Sequence, residues 1–296
     1  MSNRATPITR PHVEIPAYRQ LFAVLVASSA VFTHTQAATP EADCQPASGE
    51  CIAVGRWNFS VALGAGVRTN PLSHAPDIPL VVIPQFSYYG KRFFIDNLDL
   101  GVTLAESDSN SIGLVASPGY DRVFFYRSDL QNIFVSGFGG GGSATVVSPD
   151  TPGAIQFPPR ARRITYLAGP EWTFKYRGVA GQLDVLHEIT AQNRGNEVRA
   201  ALGLPLLEAM GHLTANIGMT WKSAAIVNYY YGEPKIYETG SAWNPFLKLK
   251  YARPLAGKWR LEGFVEYERL GSAIAKSPIV AQNHVVTGFV GAIYAF

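Results

Sequence analysis

Arg163-Ile164-Thr165-Tyr166-Leu167-Ala168-Gly169-Pro170-Glu171-Trp172-Thr173-Phe174-Lys175-Tyr176-Arg177 alternates in character along most of its length. Ile164, Tyr166, Ala168, Pro170, Trp172, Phe174 and Tyr176 fall on one face, while Arg163, Thr165, Glu171, Thr173, Lys175 and Arg177 fall on the other. A period of two is that of an extended strand with two unlike faces. The window is about twice the five or six residues of an ordinary strand in a soluble sheet. A strand of about ten residues, apolar outside and polar inside with aromatic residues near its ends, is the pattern of a transmembrane β-barrel.

The same contrast recurs downstream. Leu213, Ala215, Ile217, Met219 and Trp221 oppose His212, Thr214, Asn216, Gly218, Thr220 and Lys222. Leu247, Leu249 and Tyr251 oppose Lys248 and Lys250, and Trp259, Leu261, Val265 and Tyr267 oppose Arg260, Glu262, Glu266 and Glu268. Lipid supplies no hydrogen bonds to an open sheet edge, so such strands must close on themselves. The fold expected is all-β, a closed antiparallel transmembrane β-barrel. Strand windows read as 56–69, 79–89, 91–105, 111–126, 162–177, 178–190, 196–207, 211–227, 243–253, 257–269 and 283–296. Bacterial single-chain barrels have an even strand number, so a twelfth strand is placed around Ile133-Phe134-Val135 within 127–161, with ten strands as the alternative count. Arg177-Gly178 and Pro254-Leu255-Ala256-Gly257 suit periplasmic turns, and Asn228–Ala242 and Leu270–Gln282 read as outer loops.

Composition agrees. Of 296 residues only 16% are charged, against roughly a quarter in a typical soluble domain. The formal charge is +3, of which Arg4, Arg10, Arg19 and Glu14 account for +2, leaving +1 for the rest. With no basic excess and no Lys/Arg cluster in the sequence, nucleic acid is not an expected partner. Arg19 precedes an apolar run from Leu21 to Phe32, and Thr35-Gln36-Ala37 ends it with small residues, so 1–37 reads as a cleaved signal peptide with an extended amino-terminal region. Residues 38–55 then form a periplasmic segment and 56–296 the barrel. Cys44 and Cys51 follow the cleavage point, and in an exported chain a small disulfide loop is favoured over a metal site.

Chemistry-bearing motifs are sparse. Ser73, His74 and Asp77 share one Pro-rich stretch, where turn chemistry accounts for them better than catalysis does. His187, His212 and His284 lack metal-ligand spacing, and Gly139–Gly142 lacks the Lys-Ser/Thr of a phosphate cradle. No catalytic residue, metal or cofactor is expected. Trp172, Tyr176, Trp221 and Trp259 read as membrane-interface aromatics in contact with outer-membrane lipid. Glu171, Lys175, Asp184, Glu188, Lys248, Lys250, Arg260, Glu262, Glu266 and Glu268 are expected to face the lumen, where opposite charges on neighbouring strands pair. A lumen plugged by its own salt bridges is favoured over a narrow selective pore.

The chain ends with Val286, Val290, Tyr294 and Phe296 on one alternating face, and a terminal aromatic resembles the assembly signal of bacterial outer-membrane barrels. Together with Pro79-Leu80 through Pro84, Tyr88-Tyr89-Gly90, Arg92-Phe93-Phe94, Leu100-Gly101-Val102, Tyr229-Tyr230-Tyr231-Gly232 and Ser277-Pro278-Ile279-Val280, this order of motifs resembles the MipA/OmpV family of Gram-negative outer-membrane proteins. The resemblance implies a non-enzymatic barrel in the outer membrane. For one branch it implies a scaffold that brings a murein lytic transglycosylase together with a murein synthase, and for others an adhesin or a porin-like protein affecting antibiotic entry.

Overall fold

The computed structural model describes residues 55–125, 162–207 and 211–296. The signal peptide, Cys44 and Cys51, and the strand placed within 127–161 lie outside the described residues. Twelve antiparallel strands close into one barrel. They are β1 (Trp57–Arg68), β2 (Ile78–Tyr89), β3 (Phe93–Asp96), β4 (Asp99–Glu106), β5 (Asn110–Pro118), β6 (Tyr166–Tyr176), β7 (Val179–Glu188), β8 (Asn196–Leu207), β9 (His212–Lys222), β10 (Ala242–Pro254), β11 (Trp259–Arg269) and β12 (His284–Ala295).

Twelve is reached differently from the sequence reading. The window 91–105 is two strands, because Asn97 takes a positive φ of 52° and turns the chain between β3 and β4. Asn tolerates that left-handed conformation, and its side chain accepts the Phe86 N–H at 3.0 Å, holding the short hairpin against β2. Among the described residues the pairing of β3 with β2 is confined to Ser87, Tyr88 and Tyr89.

Alternation puts Leu63, Leu104, Ile112, Leu183, Ile217, Leu247, Val265 and Val290 on the outside, all more than a third exposed. Their uncovered apolar area is what hydrocarbon would cover. Aromatic residues bound this band. On β11 Trp259 and Tyr267 stand eight residues apart, about 26 Å along a strand at roughly 3.3 Å per residue and about 20 Å across the bilayer at the usual tilt. Trp221 and Trp243 face each other across β9 and β10 at one end, and Trp259 and Tyr294 across β11 and β12 at the other. Arg177-Gly178 and the turn after Pro254 lie at the same end as the start of β1 and the end of β12, the end read as periplasmic. The longer connections gather at the opposite, extracellular end.

Those longer connections are not plain loops. Tyr120–Phe124 forms a 3₁₀ turn, Ala224–Tyr231 a helix α1, and Ser272–Ala275 a one-turn helix α2. The expectation of strand to residue 227 followed by an open loop is thereby corrected. Ala-Ala-Ile-Val-Asn-Tyr-Tyr-Tyr has little apolar–polar contrast, so periodicity cannot distinguish a buried helix from a strand end. All three elements fold inward. Val123, Phe124, Ile226, Val227, Tyr230, Tyr231 and Ile274 pack with Leu72, Ile78, Leu167 and Leu186 of the wall and its connections in one buried cluster.

Closure depends on the β1–β12 ladder, which runs from Ser60↔Ala295 to Arg68↔Thr287. Gly64 and Gly291 are direct partners in it. A Cβ on Gly64 would lie 2.6 Å from the Gly291 Cα and 2.7 Å from Cζ of Phe289, whose ring covers both glycines from inside. Gly64→Leu is therefore expected to block closure, whereas Gly263→Ala, whose nearest neighbour would be 3.5 Å away, is expected to fold normally. Heat-modifiable gel migration after refolding in detergent measures this, and a normal folded fraction for Gly64→Leu would contradict it.

Candidate functional site in the barrel lumen

The lumen carries most of the buried charge. On β10 and β11 the ladder sets Lys248 opposite Glu266, and their side chains meet at 3.3 Å. Lys248 also stands 4.6 Å above the Phe264 ring. Lys250 reaches Glu262 at 3.1 Å, and Arg260 approaches the same carboxylate at 3.6 Å. Glu268 accepts a hydrogen bond from Asn244 at 2.9 Å. Across the lumen, Glu171 of β6 and Asp184 of β7 are directly opposed. Like charges in that position repel, and the Gln182 amide donates to both carboxylates at 3.0 Å.

Of the remaining residues singled out from sequence, Lys175 is half-buried opposite Ala180 near the periplasmic end. Glu188 closes the extracellular connection between β7 and β8. Its carboxylate accepts the backbone N–H groups of Thr190, Gln192, Asn193 and Arg194 as well as the Thr190 hydroxyl. It therefore organises a turn, and its charge is engaged by backbone dipoles. Trp172, Tyr176 and Trp259 are exposed on the outer face and Trp221 is half-exposed beside Trp243. Phe296, outward at the periplasmic rim, donates its backbone N–H to the Phe59 carbonyl at 3.0 Å. Ser73, His74 and Asp77 do not assemble into a triad. Asp77 accepts the Asn70 N–H at 2.9 Å instead, and His74 takes a positive φ in the turn.

The central joint was not legible in the sequence. Asp121, on the inward 3₁₀ turn, receives the Lys222 ammonium at 2.6 Å on both carboxylate oxygens and the Tyr231 hydroxyl at 2.8 Å. Lys222 ends β9, Tyr231 ends α1, and all three are buried. Burial and the neighbouring Asp121 carboxylate push the Tyr231 hydroxyl well above the ordinary phenol range, so it remains a donor. Arg199 forms a second joint, donating to Glu197 at 2.6 Å and to the Ser117 hydroxyl at 2.8 Å. Glu197 and Arg199 alternate on β8, a signal the sequence did carry. Asp121 falls inside the window 111–126 read as one strand, but the strand ends at Pro118 and Tyr120–Phe124 turns inward, so alternation could not announce its partners.

Arg162 completes the roof. It donates to the Tyr230 carbonyl at 2.8 Å, stacks 4.1 Å from the Phe125 ring and approaches Glu233 at 3.8 Å. Under the roof lies a cavity of about 130 Å³ lined by Asp121, Lys222, Arg199, Asp184, Lys248 and Glu268, among others. What this arrangement can do is hold paired charge in a low-dielectric interior and tie the inward-folded turn and helices to the wall. The grouped carboxylates are engaged by cations and amides, and among the described residues no three His, Cys, Asp or Glu side chains are placed to hold a metal.

Removing one member of a buried ion pair typically costs about 3–5 kcal/mol, while replacing both by apolar groups costs far less. Lys222→Met is expected to lower the urea midpoint of the detergent-folded barrel strongly. The Lys222→Met/Asp121→Leu double variant is expected to recover most of the loss. Equal midpoints for the single variant and the native chain would refute the joint.

A family model described as MltA-interacting protein MipA matches residues 61–296, thus from β1 to the last residue. MltA-interacting protein of Escherichia coli (strain K12) is 22% identical over 263 residues, covering 83% of this chain and 93% of that protein. Outer membrane protein OmpV of Vibrio cholerae is 28% identical over 102 residues, covering 32% of this chain and 40% of that protein. Among solved structures, a loop-deletion mutant of the Vibrio cholerae outer-membrane protein OmpT aligns with a TM-score of 0.33 at 8% identity, over 82% of this chain and all of that one. A twelve-stranded barrel with a lipid-facing exterior, matched by the family model along all of its strands, belongs to the MipA family of Gram-negative outer-membrane proteins.

Proposed function

We propose that this barrel is a non-enzymatic outer-membrane anchor whose periplasmic face gathers murein enzymes, a lytic transglycosylase together with a murein synthase. The observation that supports this reading is the inward packing of the 3₁₀ turn, α1 and α2 onto the charged wall. Paired charges line the wall of the lumen and these three elements roof its mouth, which leaves the ends of the barrel as the working surfaces. A similar protein bears the name MltA-interacting protein, and the turns between β6 and β7 and between β10 and β11 are short enough to present a stiff periplasmic rim. Residues 38–55, placed between the signal peptide and β1, are proposed as a second contact. Deleting 38–55 is expected to leave barrel assembly intact and to weaken capture of the transglycosylase in a cross-linking pull-down from intact cells. Undiminished capture would remove that segment from the interface.

A second reading, a gated solute channel, is favoured by the cavity beneath the roof, whose lining carries both signs of charge. In planar bilayers the native barrel is expected to be silent. Asp121→Ala, which releases both Lys222 and Tyr231, is expected to open discrete conductance steps if the roof is a gate. Silence from a correctly folded Asp121→Ala barrel would leave the anchor reading alone.

A further inference from the structure

Closure brings together at the periplasmic rim residues that are far apart in the chain. The barrel order runs β10, β11, β12, β1, β2, β3, so Arg253 and Lys258 around the β10–β11 turn become neighbours of Arg56 before β1 and of Lys91 and Arg92 after β2. The backbone confirms the proximity. Ala295 donates to the Lys258 carbonyl at 3.2 Å, Phe296 to the Phe59 carbonyl at 3.0 Å, and Gly55 to the Tyr89 carbonyl at 2.7 Å. All five cations are exposed, and none has a carboxylate within salt-bridge distance among the described residues. Among the described residues, the exposed acids at this end, Glu106 and Asp108, lie at the β4–β5 turn, outside the sector. Among the described residues, the exposed anion within it is the terminal carboxylate of Phe296.

Immediately above these cations, on the lipid-facing side, the same strands present a shelf of rings. Trp57 and Tyr88 are cross-strand partners with centroids 5.2 Å apart, and Trp259 and Tyr294 are partners at 4.9 Å. Phe296 meets Tyr294 edge-on at 5.2 Å. Aromatic shelves of this kind mark the headgroup level of a bilayer. Five cations just below that level repel one another in the absence of counter-charge, and among the described residues no carboxylate side chain lies within salt-bridge distance of them. The chemistry that fits is a phosphodiester at the depth of the ring shelf, with acyl chains lying against exposed Leu63, Val265 and Val290.

We propose that the β10–β3 sector of the periplasmic rim is a recognition site for anionic phospholipid of the inner leaflet, of the phosphatidylglycerol class. The site is independent of whether the barrel gathers murein enzymes. An acidic protein face could also meet exposed cations, but it would have no use for outward rings at bilayer depth.

The full chain, refolded in mixed vesicles and extracted into mild detergent, is tested by native mass spectrometry for lipid that stays bound. Basic residues near a membrane surface are worth enough each that phosphatidylglycerol is expected to be retained at least about fivefold over phosphatidylcholine. In an Arg56→Gln/Lys91→Gln/Arg92→Gln/Lys258→Gln variant the preference is expected to fall to near unity. The milder Lys91→Gln/Arg92→Gln pair, which leaves the closing strands untouched, is expected to lose part of it. Neutralising Arg163 and Arg194 at the other end is expected to leave it unchanged. Equal retention of the two lipids by the native chain, or a preference that survives in folded rim variants, would overturn the proposal.

Discussion

The closed hydrogen-bond ladder in hydrocarbon is the condition on which every other feature rests. Each unpaired backbone group in the bilayer core costs several kcal/mol, so the first and last strands must find each other across almost the whole chain. Here β1 and β12 meet along nine cross-strand pairs, and a glycine faces a glycine where the Phe289 ring crosses the seam. Closure imposes two solvents on one sheet. The outer face meets lipid and must be apolar, which leaves the polar half of every alternating strand turned toward the axis.

That inward half poses the second physical problem. Charges withdrawn from water need partners, and lumen residues obtain them from the opposite strand, from an amide such as Gln182, or from an element folded down from outside. The last solution defines this barrel. An apolar cap built from three connections could float over a polar lumen, but the Lys222 and Tyr231 contacts to Asp121 tie turn, helix and wall at one carboxylate. The result is a barrel whose extracellular connections fold down onto the charged wall above a small cavity. At the periplasmic rim, the sector gathered by the seam is where outward rings and exposed cations coincide.

Some of the site was readable in advance and some was not, and the division is physical. Lys248, Lys250, Glu262 and Glu266 could be assigned to one face because neighbours two apart share a side whatever the rest of the molecule does. Glu188 occupied an inward position on the same rule, yet its carboxylate organises a turn, since alternation reports a direction and not a partner. The split of 91–105 into β3 and β4 hinges on one Asn in a left-handed conformation, which leaves only a faint trace in composition. Helix α1 escaped because a uniformly apolar octet has no face to reveal.

The amino-acid sequence by itself determined that long two-faced strands would need a closed barrel with lipid outside and charge within, because that inference uses only a local period and the absence of water in a bilayer. Tertiary structure alone decided which charges meet. Asp121 and Lys222 are 101 positions apart, and the Arg253 and Lys258 pair adjoins the Arg56, Lys91 and Arg92 group only after the seam is sealed. Proximity around a cylinder is set by strand order and register, quantities that no local window contains.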